Sequence, residues 1–112
     1  MNDFKQGDII LVKFPYSDLQ NFKLRLALII SNQTLEKYND FIILGITSIK
    51  LGDKNLEITI DNTNLFQGSL PKKSYIRVSK IVSLEKNLII KKVAQINEKK
   101  LKEILEKLSK IF

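Results

Sequence analysis

Two arginines, Arg25 and Arg77, stand out in a chain of 112 residues whose other 17 basic residues are all lysine. A guanidinium is a planar, permanently charged fork that holds two oxygens of a phosphate or carboxylate at once, which an ammonium point charge cannot do. Arginine kept at two places in a lysine-rich chain marks those places as candidate anion contacts. A second feature is the adjacent hydroxyl pair Thr47 and Ser48, where an apolar run gives way to polar residues. Both could reach one phosphate if the backbone turns there. On residue types alone each feature has an ordinary alternative. A surface Arg25 can pair with Asp18 or a Glu for little gain, and a strand-end Thr before a turn-forming Ser is common.

What the chain lacks narrows the chemistry further. It contains no histidine, which removes the usual general base near neutral pH and the commonest metal ligand. It contains no cysteine, so disulfides, iron–sulfur clusters and thiolate zinc sites are excluded. Catalysis would have to rest on carboxylates, hydroxyls, Lys or Arg, and neither a metal nor a cofactor is expected. The net charge of +7 favours a polyanionic partner: nucleic acid, an acidic protein segment or an anionic membrane surface. It equally suits a plainly soluble surface. Lys13, Lys23, Lys50, Lys54, Lys72 and Lys73 fall in or beside expected loops and could follow a phosphate backbone. Phe22, Phe66 and Tyr75 could stack on splayed bases, although such rings in a small barrel are more often core. The opening MNDFKQGD lacks the basic and apolar regions of a signal peptide. No apolar run approaches the roughly 20 residues needed to cross a bilayer. A cytoplasmic protein without a membrane is expected.

The elements that must position these residues read as strands closed by one helix. Asp8 to Phe14 is apolar and rich in β-formers, as a central strand should be. Pro15 is expected to end it and open a polar loop through Leu24 that contains Asp18. Leu26 to Ile30 and Phe41 to Thr47 are further buried strands, with a helical turn over Gln33 to Tyr38 between them. Gly45 marks a bulge or a close backbone approach. After a loop at Lys50 to Asn55 comes an alternating strand, Leu56 to Ile60. Asp61 to Lys73, with Gly68 and Pro71, is expected to be irregular. Ser74 to Ser83 alternates over a long span, as one bent strand or two short ones, and Ile89 to Ala94 is the last strand. Asn97 caps a helix to Phe112 with an apolar stripe at Leu101, Ile104, Leu105, Leu108, Ile111 and Phe112. Its other face offers three i,i+4 pairs: Lys99 with Glu103, Lys102 with Glu106, and Glu106 with Lys110. The pattern predicts one domain over residues 1–112, mainly β with a C-terminal helix, as a small barrel.

Several segments, taken together and in order, resemble the MazF/PemK toxins. GDIILVKFPYSD followed by KLRLALIISN is similar to the family's opening: a Gly-Asp-led strand, a polar loop, then Arg before an apolar strand ending in Ser-Asn. ILGITS resembles the third strand with its Thr-Ser end, and GSLPKKSYIRVSKIVSLEKNLI resembles the segment bringing a Ser, an Arg and a Lys-Ile continuation. The final Leu/Ile helix matches in place and length. The resemblance implies an SH3-like barrel, a homodimer and metal-independent cleavage of single-stranded RNA at short sequences. The ribose 2′-OH is the nucleophile, and an acidic antitoxin holds the toxin inactive.

The resemblance also implies roles for residues. Arg25 falls at the catalytic Arg, and Thr47 and Ser48 at the pair that bonds the scissile phosphate. Arg77 matches a second Arg used in RNA contact or catalysis, and is grouped with Ser79, Lys23 and Asp18 as expected RNA-contacting residues. Two departures stand out. Ser79 occupies a position where those members carry an acidic residue, leaving Asp18 as a substitute carboxylate in a loop that also favours turn-forming Asp. Leu26 stands where the family commonly has Pro, whose fixed backbone would otherwise steady the approach to Arg25. These departures favour a rival from another class, a non-catalytic SH3-like module that binds RNA or protein.

Overall fold

Strands of this chain form where apolar residues recur on both faces of an extended backbone. The computed structural model describes residues 4–15 and 22–112. It contains β1 (Asp8–Pro15), β2 (Phe22–Ile29), β3 (Asp40–Thr47), β4 (Glu57–Ile60), β5 (Leu65–Gly68), β6 (Ser74–Glu85), β7 (Ile89–Ile96) and α1 (Glu98–Ser109). A 3₁₀ turn over Gln33–Tyr38 leads into β3. The seven strands make one curled antiparallel sheet in the order β4-β6-β3-β2-β1-β7-β5. Asp8 anchors its start. Its buried carboxylate accepts the Lys5 amide at 2.9 Å and meets Lys92 Nζ at 3.2 Å.

Both faces of the sheet are covered, which is why β1, β2 and β3 read as nearly unbroken apolar runs. One face carries Ile9, Leu28, Leu44, Ile46, Ile76, Val78 and Ile96 against Ile104 and Leu108 of α1. The other carries Ile10, Val12, Ala27, Ile29, Phe41, Ile43 and Leu84, with Phe4, Phe14, Leu88 and Ile89 packed on it. Asn97 caps α1 by accepting the Lys100 amide at 2.8 Å. This satisfies one of the donors left over at a helix start.

The structure departs from the sequence-based expectations in three places. β1 ends at Pro15 as expected, but β2 already starts at Phe22, so Arg25 sits within a continuous strand instead of at a loop end. Leu26, which follows it where the family commonly has Pro, pairs with Leu11 and Ile46, so sheet pairing rather than a proline ring holds the backbone beside Arg25. The stretch expected to be irregular contains β5, which pairs with β7 through Leu65↔Ile96 and Gly68↔Ala94. β6 is the single bent strand, one of the two alternatives, and its bend is a large bulge. One step on β3, Leu44 to Gly45, spans four on β6, Ile81 to Arg77, so Val78, Ser79 and Lys80 are extra. α1 ends at Ser109 rather than Phe112, and Leu105 on it and Ile111 and Phe112 beyond it, all expected in the apolar stripe, are exposed. The ion pair formed there is Lys100 with Glu103 at i,i+3 rather than any of the three i,i+4 pairs, among the described residues.

Candidate functional site

Side chains directly opposite one another in an antiparallel pair share a face, so the registers place the candidate residues in two neighbouring rows. Val12 lies across from Arg25. One residue beyond the last β2–β3 pair, Leu26↔Ile46, Arg25 falls across from Thr47, which in turn faces Tyr75. Two residues along each strand, Ala27 is opposite Gly45, Gly45 opposite Arg77, and Arg77 opposite Glu57. Alternation by two keeps both rows on one face. Backbone pairing alone thus brings together Arg25, Thr47 and Arg77, which lie far apart in sequence.

These rows line a cleft of about 440 Å³. Its polar walls are Arg25, Thr47, Arg77 and Lys80, its apolar walls include Phe14, Ile49 and Val82, and Gly45 is part of its lining. A Cβ on Gly45 would lie 3.4 Å from the Lys80 Cβ, so glycine here lets the bulge of β6 close against β3. Three cations facing one hollow of this size can hold a phosphodiester. Among the described residues no carboxylate lines it.

The turn after β3 is held by the same groups. Thr47 Oγ1 accepts the Ile49 amide at 3.1 Å, and Arg77 Nη2 donates to the Ile49 carbonyl at 3.2 Å. Arg77 Nε is buried with no hydrogen-bond partner among the described residues, a state that typically costs about 1–3 kcal/mol. Glu57, opposite Arg77, is buried, and its carboxylate accepts the Leu51 and Gly52 amides at 2.7 and 2.9 Å.

Not every expected residue joins the cleft. Ser48, Ser79 and Lys23 are exposed and do not line it. Asp18 and the Phe22 side chain lie outside the described residues. Tyr75 is half-buried in the row of Arg25 and Thr47, while Phe66 is 71% exposed on β5, at the sheet's far edge from Arg77's side. Lys80, Phe14, Ile49, Val82 and Glu57 were not singled out as site residues by the sequence, although Lys80 follows Ser79 in the matched segment. A larger hollow of about 740 Å³ lies at the other end of β3 and is lined by Phe4, Tyr38, Asn39, Asp40, Glu85 and Lys86, among others. It has no arginine, and its two carboxylates would repel a polyanion. The smaller cleft is the candidate site. No helix is long and apolar enough to cross a membrane, among the described residues.

The geometry defines a small curled-sheet protein with a cationic, partly apolar cleft suited to a phosphodiester. Residues 5–112 match the PemK-like, MazF-like toxins of type II toxin-antitoxin systems, and the chain belongs to that family. No curated protein sequence is similar enough to match it. The fold is similar to a mycobacterial endoribonuclease at 16% identity and a TM-score of 0.73, covering 98% of this chain and 91% of that one. It is also similar to a MazE–MazF structure from Deinococcus radiodurans at 16% identity and a TM-score of 0.78, covering 99% and 96%. A third similar structure is a mycobacterial endoribonuclease in complex with its cognate antitoxin, at 15% identity and a TM-score of 0.72, covering 96% and 92%.

Proposed function

We propose that this toxin is a sequence-specific endoribonuclease that cleaves single-stranded RNA by attack of a ribose 2′-OH on the adjacent phosphate, without a metal ion. The observation that carries this reading is the convergence of Arg25, Thr47 and Arg77 on one cleft in a chain of this toxin family. The 2′-oxygen bonds to phosphorus as the bond to the 5′-oxygen breaks, and the departing 5′-oxygen takes a proton from solvent, leaving a cyclic phosphate and a 5′-hydroxyl. Charge builds on the non-bridging oxygens as the fifth bond forms, and fixed guanidiniums stabilise that charge more than they stabilise the ground state. Arg25 and Arg77 supply the forks, Thr47 a hydroxyl, and Lys80 a further cation. With Ser79 in place of an acid and no carboxylate lining the cleft among the described residues, Asp18 or solvent takes up the 2′-OH proton. Metal independence is supported by the donor set: no His or Cys in the chain, and no cluster of three acidic ligands among the described residues.

The same reading makes the chain one domain acting as a cytoplasmic homodimer, restrained by an acidic antitoxin that its +7 charge would attract. The relative solved with its cognate antitoxin supports that partner. Ser79 favours a second reading, a non-catalytic module that holds RNA without cutting it. Single-stranded RNA incubated in excess EDTA separates them, alongside the same strand carrying a 2′-deoxy residue at the cut. Cleavage of the first, with a cyclic phosphate product, and resistance of the second are expected. Loss of activity in EDTA restored by Mg²⁺, or efficient cutting of the deoxy strand, would refute the mechanism.

A further inference from the structure

Thr47 and Ile49 reach the cleft from the start of a turn, and that turn needs an anchor. Glu57 lies on the cleft side of β4, since its register partner Arg77 lines the cleft, yet it is only 8% exposed. The segment after Ile49 folds back over it. Both of its oxygens are occupied: Oε2 accepts the Leu51 amide and Oε1 the Gly52 amide. Gly52 has φ +90°, a left-handed conformation that lets two successive amides aim at one carboxylate. Across the strand pair, Arg77 donates to the Ile49 carbonyl. Residues 49–52 are thus tied at three points to a charged pair on neighbouring strands.

We infer that Glu57 is a positioning residue for the cleft: it fixes the turn that presents Thr47 and Ile49, the same turn that Arg77 holds through the Ile49 carbonyl. The inference rests on the cleft being the RNA-cleaving site. Glu57 itself is not among the residues that line the cleft, and each of its oxygens already accepts a backbone amide. Its acidity agrees with this arrangement. Desolvation raises the carboxyl pKa, but the Leu51 and Gly52 amides and the charges of Arg77 and Lys50 outweigh it, and the net value falls below the ordinary 4.5.

Glu57→Gln tests the role, since it keeps the shape but replaces one acceptor oxygen with an NH₂ that cannot accept an amide. In ¹⁵N-labelled wild type, the Leu51 and Gly52 amide resonances should shift together on acidification with a midpoint below 4.5; in the variant they should not. On single-stranded RNA, kcat should fall about 10–100-fold, because small misplacements of reacting groups are costly, while affinity for an uncleavable 2′-deoxy strand changes less than about 3-fold. Glu57→Asp keeps the charge on a shorter arm and should recover part of the lost turnover. A folded Glu57→Gln variant with wild-type kcat overturns the inference, as does a loss expressed wholly in RNA affinity. If that variant fails to fold, the wild-type titration decides, and amides with no midpoint below 4.5 overturn it. If wild type cuts no RNA, the endoribonuclease reading falls by itself, and the amide titration still decides whether Glu57 holds the turn.

Discussion

Replacing Arg25 with alanine should slow RNA cleavage far more than it weakens RNA binding. Arg25 lies exposed on β2, across from Thr47, and lines a cleft that also holds Arg77 and Lys80. A unit charge about 4 Å from a phosphate oxygen interacts by about 4 kcal/mol at an effective dielectric near 20, a value suited to a partly solvated surface. Only the part that grows between ground and transition state appears in turnover. Removal of one such donor typically costs about 10²–10³ in rate, roughly 2.7–4 kcal/mol. The exposure of Arg25 places it toward the lower end. With Arg77 and Lys80 still in place, affinity for a 2′-deoxy strand should fall less than about 10-fold. Arg25→Lys keeps the charge without the fork and should restore only part of the rate. Thr47→Ala should cost less than Arg25→Ala, because a neutral hydroxyl bond is weaker than a charge-assisted one. Single-turnover cleavage of a short RNA, paired with binding of its deoxy analogue, reads both quantities. Equal cleavage by wild type and Arg25→Ala would refute the arginine-centred mechanism.

Gly68→Ala should destabilise the fold by about 2–4 kcal/mol, since φ is +81° and a Cβ there would meet Val93 O at 2.5 Å and Ala94 Cα at 2.6 Å; an unchanged thermal midpoint would contradict this. Asp61 has its pKa lowered by its bonds from the Thr63 hydroxyl and amide, helped by Lys73 and Lys100 and opposed by desolvation, and Glu57 is lowered too. Groups with depressed folded pKa values contribute stability above their unfolded pKa and lose it as pH falls through the folded one. The thermal midpoint should therefore drop as pH falls below about 4.5 and less steeply in Asp61→Asn, and equal slopes would count against the assignment. An acidic antitoxin encoded beside this chain should bind fast at low salt, slow as salt rises, and abolish cleavage at stoichiometric ratio. Full activity at that ratio would remove the antitoxin claim.

The central strands were legible because burial on both faces forces near-continuous apolar runs, and no other element of a chain this size requires them. β5 was not, because Leu65 to Gly68 is short, polar at Gln67, largely exposed and set among turn-forming Asn, Asp and Gly. Its pairing depends on Gly68 fitting against Val93 and Ala94, a tertiary fact with no local signal. The site divides in the same way. Arg25, Thr47 and Arg77 could be chosen from residue type and the family resemblance, but their convergence follows from register, which single-strand patterns do not specify. Lys80 reaches the cleft only because three extra residues bulge from β6 and upset the alternation that a regular strand would keep. Glu57 was unremarkable in the sequence, one acid in an alternating strand. Only the folding of the preceding loop over it makes it buried.

The bond from the Ile49 amide to Thr47 Oγ1 gives the hydroxyl a direction. A threonine oxygen has two lone pairs and one proton, and here one lone pair is already taken by the backbone. The O–H itself remains on offer, together with the second lone pair. A phosphate presents only acceptors, so this polarity matches it, whereas a group that must be relieved of a proton meets a site already partly filled. Thr47 can therefore give its proton to a phosphate oxygen while its own main chain steadies the side chain. The sheet settles where that hydroxyl stands, and a single amide holds it there.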